Sequence, residues 1–141
     1  MRRTTVFLIG VLSFLLLPTR NAAADEPYPF FQALTTSDGL SQISVISICQ
    51  DHRGYMWFGT RNGLNRYDGK TMKVYSNIPG DTSSLSNDFV RCIVEDRHGR
   101  LWIGTLGGVN LYDPSVDGFH SYELSPEGSS FENVVRTICP D

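Results

Sequence analysis

Between Leu40 and Asp113 the chain has no ten-residue stretch with apolar side chains at helical spacing, which excludes helix bundles and two-helix solenoids. It also lacks the roughly 20 consecutive apolar residues that a membrane-spanning helix requires. The longest such run, Val6 to Leu17, has 12 residues. Cysteine is scarce, with only Cys49, Cys92 and Cys139 and no C-x-x-C pair, and the three histidines, His52, His98 and His120, fall in turns or loops without clustering. Neither a metal site nor a cofactor is indicated. Basic residues are few: setting aside Arg2, Arg3 and Arg20 leaves 9 (12 minus 3) against 15 acidic ones, a formal charge of −6. No basic stripe is available to neutralise phosphates, so nucleic acid is excluded as a partner.

What the chain does have is a repeat at an offset of 45 residues. Leu40-Ser41, Val45, Ile48, Asp51, Gly54, Trp57, Gly59-Thr60, Gly63, Asn65 and Tyr67-Asp68 recur as Leu85-Ser86, Val90, Ile93, Asp96, Gly99, Trp102, Gly104-Thr105, Gly108, Asn110 and Tyr112-Asp113. These are 13 identities in the 29 positions from Leu40 to Asp68, where ordinary residue usage gives roughly two. A third copy opens in the same register with Val135, Ile138 and Asp141.

The content of each copy predicts strands. Short runs rich in β-branched and aromatic residues are broken every few positions by Gly or Asp. The first run is Ile43 to Cys49, matched by Phe89 to Val94. Asp51-His52-Arg53-Gly54 and Asp96-Arg97-His98-Gly99 then turn the chain, with Asp placed to accept a local N–H and Gly placed for positive φ. Second strands follow at Met56 to Thr60 and Leu101 to Thr105, third strands at Asn65 to Tyr67 and Asn110 to Tyr112, and fourth strands at Lys73 to Ser76 and Phe119 to Leu124. Four short antiparallel strands repeated radially make a propeller blade. The fold class is therefore all-β: a partial β-propeller of two four-stranded antiparallel blades plus the first strand of a third.

Residues that recur in every copy are expected to build the scaffold. Trp57 and Trp102 fill the space between blades. Asp51, Gly54, Gly59 and Thr60, with Asp96, Gly99, Gly104 and Thr105, shape the turns and strands. A catalytic carboxylate is needed once, whereas a turn carboxylate is needed in each copy. The cysteines occupy strands on neighbouring sheets about 10 Å apart, beyond the roughly 7 Å Cα separation that a disulfide tolerates. Buried free thiols are the expectation.

Met1-Arg2-Arg3, the apolar run, Pro18 and Ala22-Ala23-Ala24 have the layout of a secretory signal peptide cleaved after Ala24. The division expected is a signal peptide at 1–24, a lead-in at 25–38, repeats at 39–83 and 84–128, and the start of a third repeat at 129–141. Within the lead-in, Pro29 to Leu34 is similar to the closing strand of a repeat and would complete the last blade of a ring.

Asp38-Gly39-Leu40-Ser41, Gly54-Tyr55-Met56-Trp57-Phe58-Gly59-Thr60 and Gly63-Leu64-Asn65-Arg66-Tyr67-Asp68-Gly69 resemble the first two-component regulator propeller repeat of bacterial periplasmic sensors. Leu101-Trp102-Ile103-Gly104-Thr105 and Gly108-Val109-Asn110-Leu111-Tyr112-Asp113 resemble the later repeats. The resemblance implies a periplasmic sensing propeller placed ahead of a membrane span and a histidine kinase, as in Bacteroides-type hybrid receptors that sense glycan breakdown products. No kinase or other output domain is read within these 141 residues, and the expectation is the N-terminal portion of such a receptor, itself no enzyme.

Ligand specificity is expected where the copies differ and lie in loops. Arg61-Asn62 stands against Leu106-Gly107, Arg66 against Leu111, and the loop around Ser115 to Gly118 is two residues longer than its counterpart. Arg61, Asn62 and Arg66 are the candidate contacts for an oligosaccharide. The two open apolar faces are expected to meet further blades of a parent receptor or other copies of the chain. The alternatives are a fragment of a propeller-type glycan-processing enzyme, since the Asp-x-x-Gly-x-x-Trp turn resembles the Asp-box hairpins of sialidase-type propellers, and a truncated remnant without function.

Overall fold

The computed structural model of the chain describes residues 31–125 and 133–140. The chain divides into two units, Met1–Gln32 and Ala33–Asp141, and the architecture below is that of the second. The signal peptide expected at 1–24, with cleavage after Ala24, and most of the expected lead-in lie outside the described residues.

Ala33–Asp141 opens with a short 3-10 turn, Thr36–Asp38, in which Thr35 and Asp38 cap each other's backbone N–H groups. Eight strands follow among the described residues. β1 (Ser47–Gln50), β2 (Met56–Thr60), β3 (Gly63–Tyr67) and β4 (Met72–Tyr75) form one antiparallel meander, and β5 (Val90–Glu95), β6 (Leu101–Thr105), β7 (Gly108–Asp113) and β8 (Gly118–Tyr122) form a second. No strand pairing joins the two sheets. The turns between β1 and β2 and between β5 and β6 close on Gly54 and Gly99, with φ of 89° and 73°.

The first strand of each blade is shorter at its start than its apolar run. Ile43 to Val45 stay out of the ladder; the Ile46 N–H donates to the Gly59 carbonyl at 2.7 Å, and residue-to-residue register begins where Ser47 meets Gly59. In the second blade the same place carries a β-bulge at Arg91, between Val90 and Cys92. The closing strand expected over Pro29 to Leu34 is absent from its described part: residues 31–34 form no strand, and Phe31 is 93% exposed. A strand needs an edge to pair with, and the last blade of a ring is not among the described residues.

The sheets approach most closely along β1, β2 and β5, so they fan outward from their first strands. Period-two alternation sorts side chains by face. Trp57, Gly59, Leu64 and Tyr75 project from the first blade toward the second, and Ile93, Leu101, Ile103, Tyr112 and Phe119 project back, forming one core. Trp57 lies 4.9 Å from Tyr112, ring to ring and edge-on, and 5.9 Å from Tyr75, stacked. Aromatic pairs in these geometries add to the stabilisation from burial alone.

Gly59 makes this approach possible. A Cβ there would sit 2.6 Å from Cγ1 of Val90. The third copy repeats the contact, because Val135 is buried against Gly104, where a Cβ would meet its Cγ1 at 2.6 Å, and the Val135 N–H donates to the Thr105 carbonyl at 2.9 Å. Residues 133–140 otherwise run without a ladder partner.

Each blade leaves one face open. On the first, Ile48 is 60% exposed and Val74 is also exposed. On the second, Trp102 is only partly buried and Tyr122 is half exposed. The same difference corrects the reading of the thiols: Cys49 and Cys92 are partly buried, but Cys139 is exposed, because no sheet among the described residues covers it. None of the three forms a disulfide.

Candidate functional site

Three polar arrangements are built on this frame, and two of them recur. The first is the Asp turn. Asp51 is buried, and its carboxylate accepts from the N–H groups of Arg53 (3.0 Å) and Tyr55 (2.9 Å) and from Trp57 Nε1 (3.0 Å), with the Arg53 guanidinium 3.0 Å away. Asp96 accepts from the His98 and Arg100 N–H groups, each at 2.9 Å, and from Trp102 Nε1 at 3.0 Å. Desolvation pushes both carboxyls up. The hydrogen bonds from the tryptophans, together with those from Arg53 or Arg100 and the turn backbone, outweigh it, and both carboxyls lie below the ordinary value of 3.8. A carboxylate with every acceptor position engaged has no capacity left to carry a proton in catalysis, and these turns hold strands together.

The sign of the shifts sets an expected acid profile. A carboxyl whose folded pKa is depressed contributes stability above its unfolded pKa, and that stability is lost as pH falls toward the folded value. Unfolding free energy, followed by urea titration at successive pH values, should hold from neutrality to about pH 5 and then decline steadily below about pH 4. A profile that is flat to pH 2 would contradict the assignment.

The second recurring arrangement is a latch that sequence reasoning missed. Asn65 Oδ1 accepts from the Ser41 N–H (2.8 Å), and Asn65 Nδ2 donates to Ser41 Oγ (2.9 Å) and to the Phe58 carbonyl (3.1 Å). Thr60 Oγ1 donates to the Gly63 carbonyl at 3.0 Å. Asn110, Ser86 and Thr105 repeat the set. Asn65, Thr60, Asn110 and Thr105 are fully buried. The signal for the latch was present in the recurrence of Leu-Ser 24 residues ahead of each Asn. The latch fixes the β2–β3 turn, since the Asn62 N–H donates to Thr60 Oγ1 (2.9 Å), and so it positions Arg61 and Asn62.

The third arrangement occurs once. Arg66, on β3 of the first blade, donates through Nη1 to Tyr112 Oη (2.7 Å) and Asp117 Oδ1 (3.0 Å) on the second. Tyr75 and Tyr112 both donate to Asp117 Oδ1 at 2.6 Å, and Lys73 pairs with its other oxygen. The Arg66 guanidinium also lies over the rings of Tyr55, Trp57 and Tyr75. Asp117 adopts φ of 51°, the only positive value outside glycine among the described residues. Desolvation raises the Asp117 carboxyl, but hydrogen bonds from Lys73, Tyr112 and Tyr75 and the Arg66 charge bring it well below the ordinary carboxylate range. The two-residue-longer loop thus supplies the acid that locks one blade to the next. In Asp117→Ala, Arg66 keeps its half-buried charge and loses its counterion, and a loss of about 2 kcal/mol is expected in urea unfolding. Adding Arg66→Leu, the residue found at the equivalent position 111, should recover part of it.

The structure separates the three candidate ligand contacts. Arg61 and Asn62 are exposed on the β2–β3 turn at one end of the blade, and Arg66 is engaged between the sheets near the other end of β3. Three residues of strand, about 10 Å, separate Gly63 from Arg66. Around Arg61, the segment leading into β5 crosses the turn: the Gly63 N–H donates to the Asp88 carbonyl at 2.8 Å, and the Phe89 ring centroid lies 5.4 Å from Cζ of Arg61.

Four-stranded meanders fanned from their first strands, with the same Asp–Trp turn and Asn latch in each, define the blades of a β-propeller. Residues 39–62 and 84–107 match the two-component regulator propeller repeat. It is 45% identical over 86 residues to histidine kinase P4 of Formosa agariphila, covering 61% of this chain and 6% of that protein. It is also similar to the extracellular domain of a hybrid two-component system of B. thetaiotaomicron, with 32% identity and a TM-score of 0.61 over 68% of this chain and 14% of that one. The extracellular domain of a one-component system of the same organism matches with 30% identity and a TM-score of 0.54, covering 67% of this chain and 14% of that one. The chain therefore spans a small part of the length of the proteins it resembles. No helix among the described residues is long and apolar enough to cross a membrane.

Proposed function

We propose that this chain is part of an exported, ligand-sensing propeller of a two-component receptor, and that its ligand is an oligosaccharide. The observation that carries the reading is the contrast between the copies: the Asp–Trp turns and Asn latches are the same in both blades, whereas the turn they support carries Arg61-Asn62 in one and Leu106-Gly107 in the other. A scaffold held constant under a variable polar turn is the arrangement of a recognition surface. Arg61 and Asn62 are assigned as ligand contacts and Arg66 as the residue that joins the blades. The match to extracellular domains supports an exported location, as does the signal-peptide layout read in residues 1–24, and the open face of the second blade suits a further copy of the repeat. The chain has no proposed catalytic role, since its recurring carboxylates are committed to turns.

Calorimetric titration of the purified chain with a panel of oligosaccharides, with product analysis in parallel, tests this. Saturable binding that weakens in Arg61→Ala and Asn62→Ala supports the sensor. Turnover would establish the enzyme reading instead, and the absence of both would favour a remnant without function.

A further inference from the structure

The bulge on β5 re-aims one side chain on the strand nearest the propeller axis, a common use of bulges beside functional sites. That side chain is Arg91. Its Cζ lies 5.5 Å from the Phe89 ring centroid, and Cζ of Arg61, from the neighbouring blade, lies 5.4 Å from the same centroid. Two guanidinium groups therefore share one ring at the inner seam between the blades.

Neither has a counterion among the described residues. The ion pairs among the described residues engage Arg53, Arg66, Lys73, Arg100, His52 and His120, and no carboxylate stands within ion-pair distance of Arg61 or Arg91. Arg91 Nε is buried and finds no acceptor among the described residues. A buried donor without an acceptor is costly, and two like charges gathered around one ring repel each other. An anion with several oxygens bound at this seam relieves both costs, and arginine recognises such a group through paired N–H donors. The chain as a whole is acidic, so this local positive site is not a by-product of composition. The next copy carries Arg136 at the register of Arg91, whereas the first has Ile46 there.

We propose that Arg61 and Arg91, flanking Phe89, form an anion subsite at the seam, and that the saccharide this propeller takes bears a negatively charged group. The inference rests on the saccharide-sensing reading above and narrows it to acidic sugars. A carboxylate and a sulfate present the same oxygen chemistry to the pair.

The test is calorimetric titration of the full chain with three probes: trigalacturonate, a sulfated galactose oligosaccharide and neutral galactotriose. Expected is binding of at least one anionic probe that weakens as sodium chloride is raised, and that weakens about tenfold or more in Arg91→Gln and in Arg61→Gln. Arg97→Gln, on the opposite turn, should bind as the parent does. Preference between the two anionic probes identifies the source of the charge. Arg61 is exposed, so its variant reports on binding even if Arg91→Gln fails to fold. Equal binding of galactotriose, or anionic binding indifferent to both substitutions, overturns the subsite and leaves the sensor reading standing. Binding of none of the three overturns the subsite, while a response to other saccharides in the wider panel would still uphold the sensor.

Discussion

Trp57→Ala is expected to lower the unfolding free energy of the chain by about 4 kcal/mol, the range for removing a large aromatic from a packed interior. The reason lies in where the ring sits. Trp57 is fully buried between the blades, contacts Tyr75 and Tyr112, and donates its indole N–H to Asp51. Its repeat partner gives an internal control. Trp102 has the same hydrogen bond to Asp96 and a ring partner in Tyr122, but only partial burial. Trp102→Ala should therefore cost about 1 to 2 kcal/mol, because the apolar area it returns to water is smaller. Equal losses for the two variants in urea unfolding would show that the second tryptophan is covered in solution.

Asp51→Ala should cost about 3 kcal/mol, out of proportion to the few atoms removed. The buried carboxylate serves the Trp57 indole, two turn N–H groups and the Arg53 guanidinium, and deleting it strands several donors at once. Asp51→Asn, which keeps one acceptor oxygen, should lose about half as much. Asp96→Ala should fall below Asp51→Ala, since its turn borders the open face and water can replace the lost acceptor. Circular dichroism together with urea unfolding distinguishes these outcomes, and identical losses at Asp51 and Asp96 would refute the dependence on burial.

The repeat made most of the architecture readable. Because Asp, Gly, Trp and Gly-Thr recur at fixed spacing, the count of strands per blade and the limits of β2 and β6 follow from composition and turn chemistry alone. Recurrence pointed both tryptophans to the space between blades; Trp57 fills it, whereas Trp102 lies on the open face of the second blade. What stayed hidden depends on pairings between distant residues or on residues that appear once. Asp117 stood out only as part of a longer loop, and its partners lie 42 to 51 residues earlier for Tyr75 and Arg66. The start of β1 differs from its apolar run because Ile43 and Val45 have strand-like side chains, although the first bond to β2 is made by the Ile46 N–H and the register begins at Ser47. Arg91 was unremarkable in the sequence, since nothing in a single strand announces that a bulge will turn one residue out of register. For Arg61 and Asn62, exposure on a turn agrees with the sequence reading, whereas Arg66 was drawn inward by an acid that the first copy does not contain.

Each sheet completes its hydrogen-bond ladder within its own four strands, and the neighbours meet mainly through side chains. An in-frame copying event of one 45-residue period would hence deliver a finished module rather than half of one. Such a gene can lengthen or shorten by whole units while every ladder stays intact. Selection then has to act only on the seams, where substitutions such as Arg66 for Leu111, with an acid on the facing loop, can dictate which unit follows which.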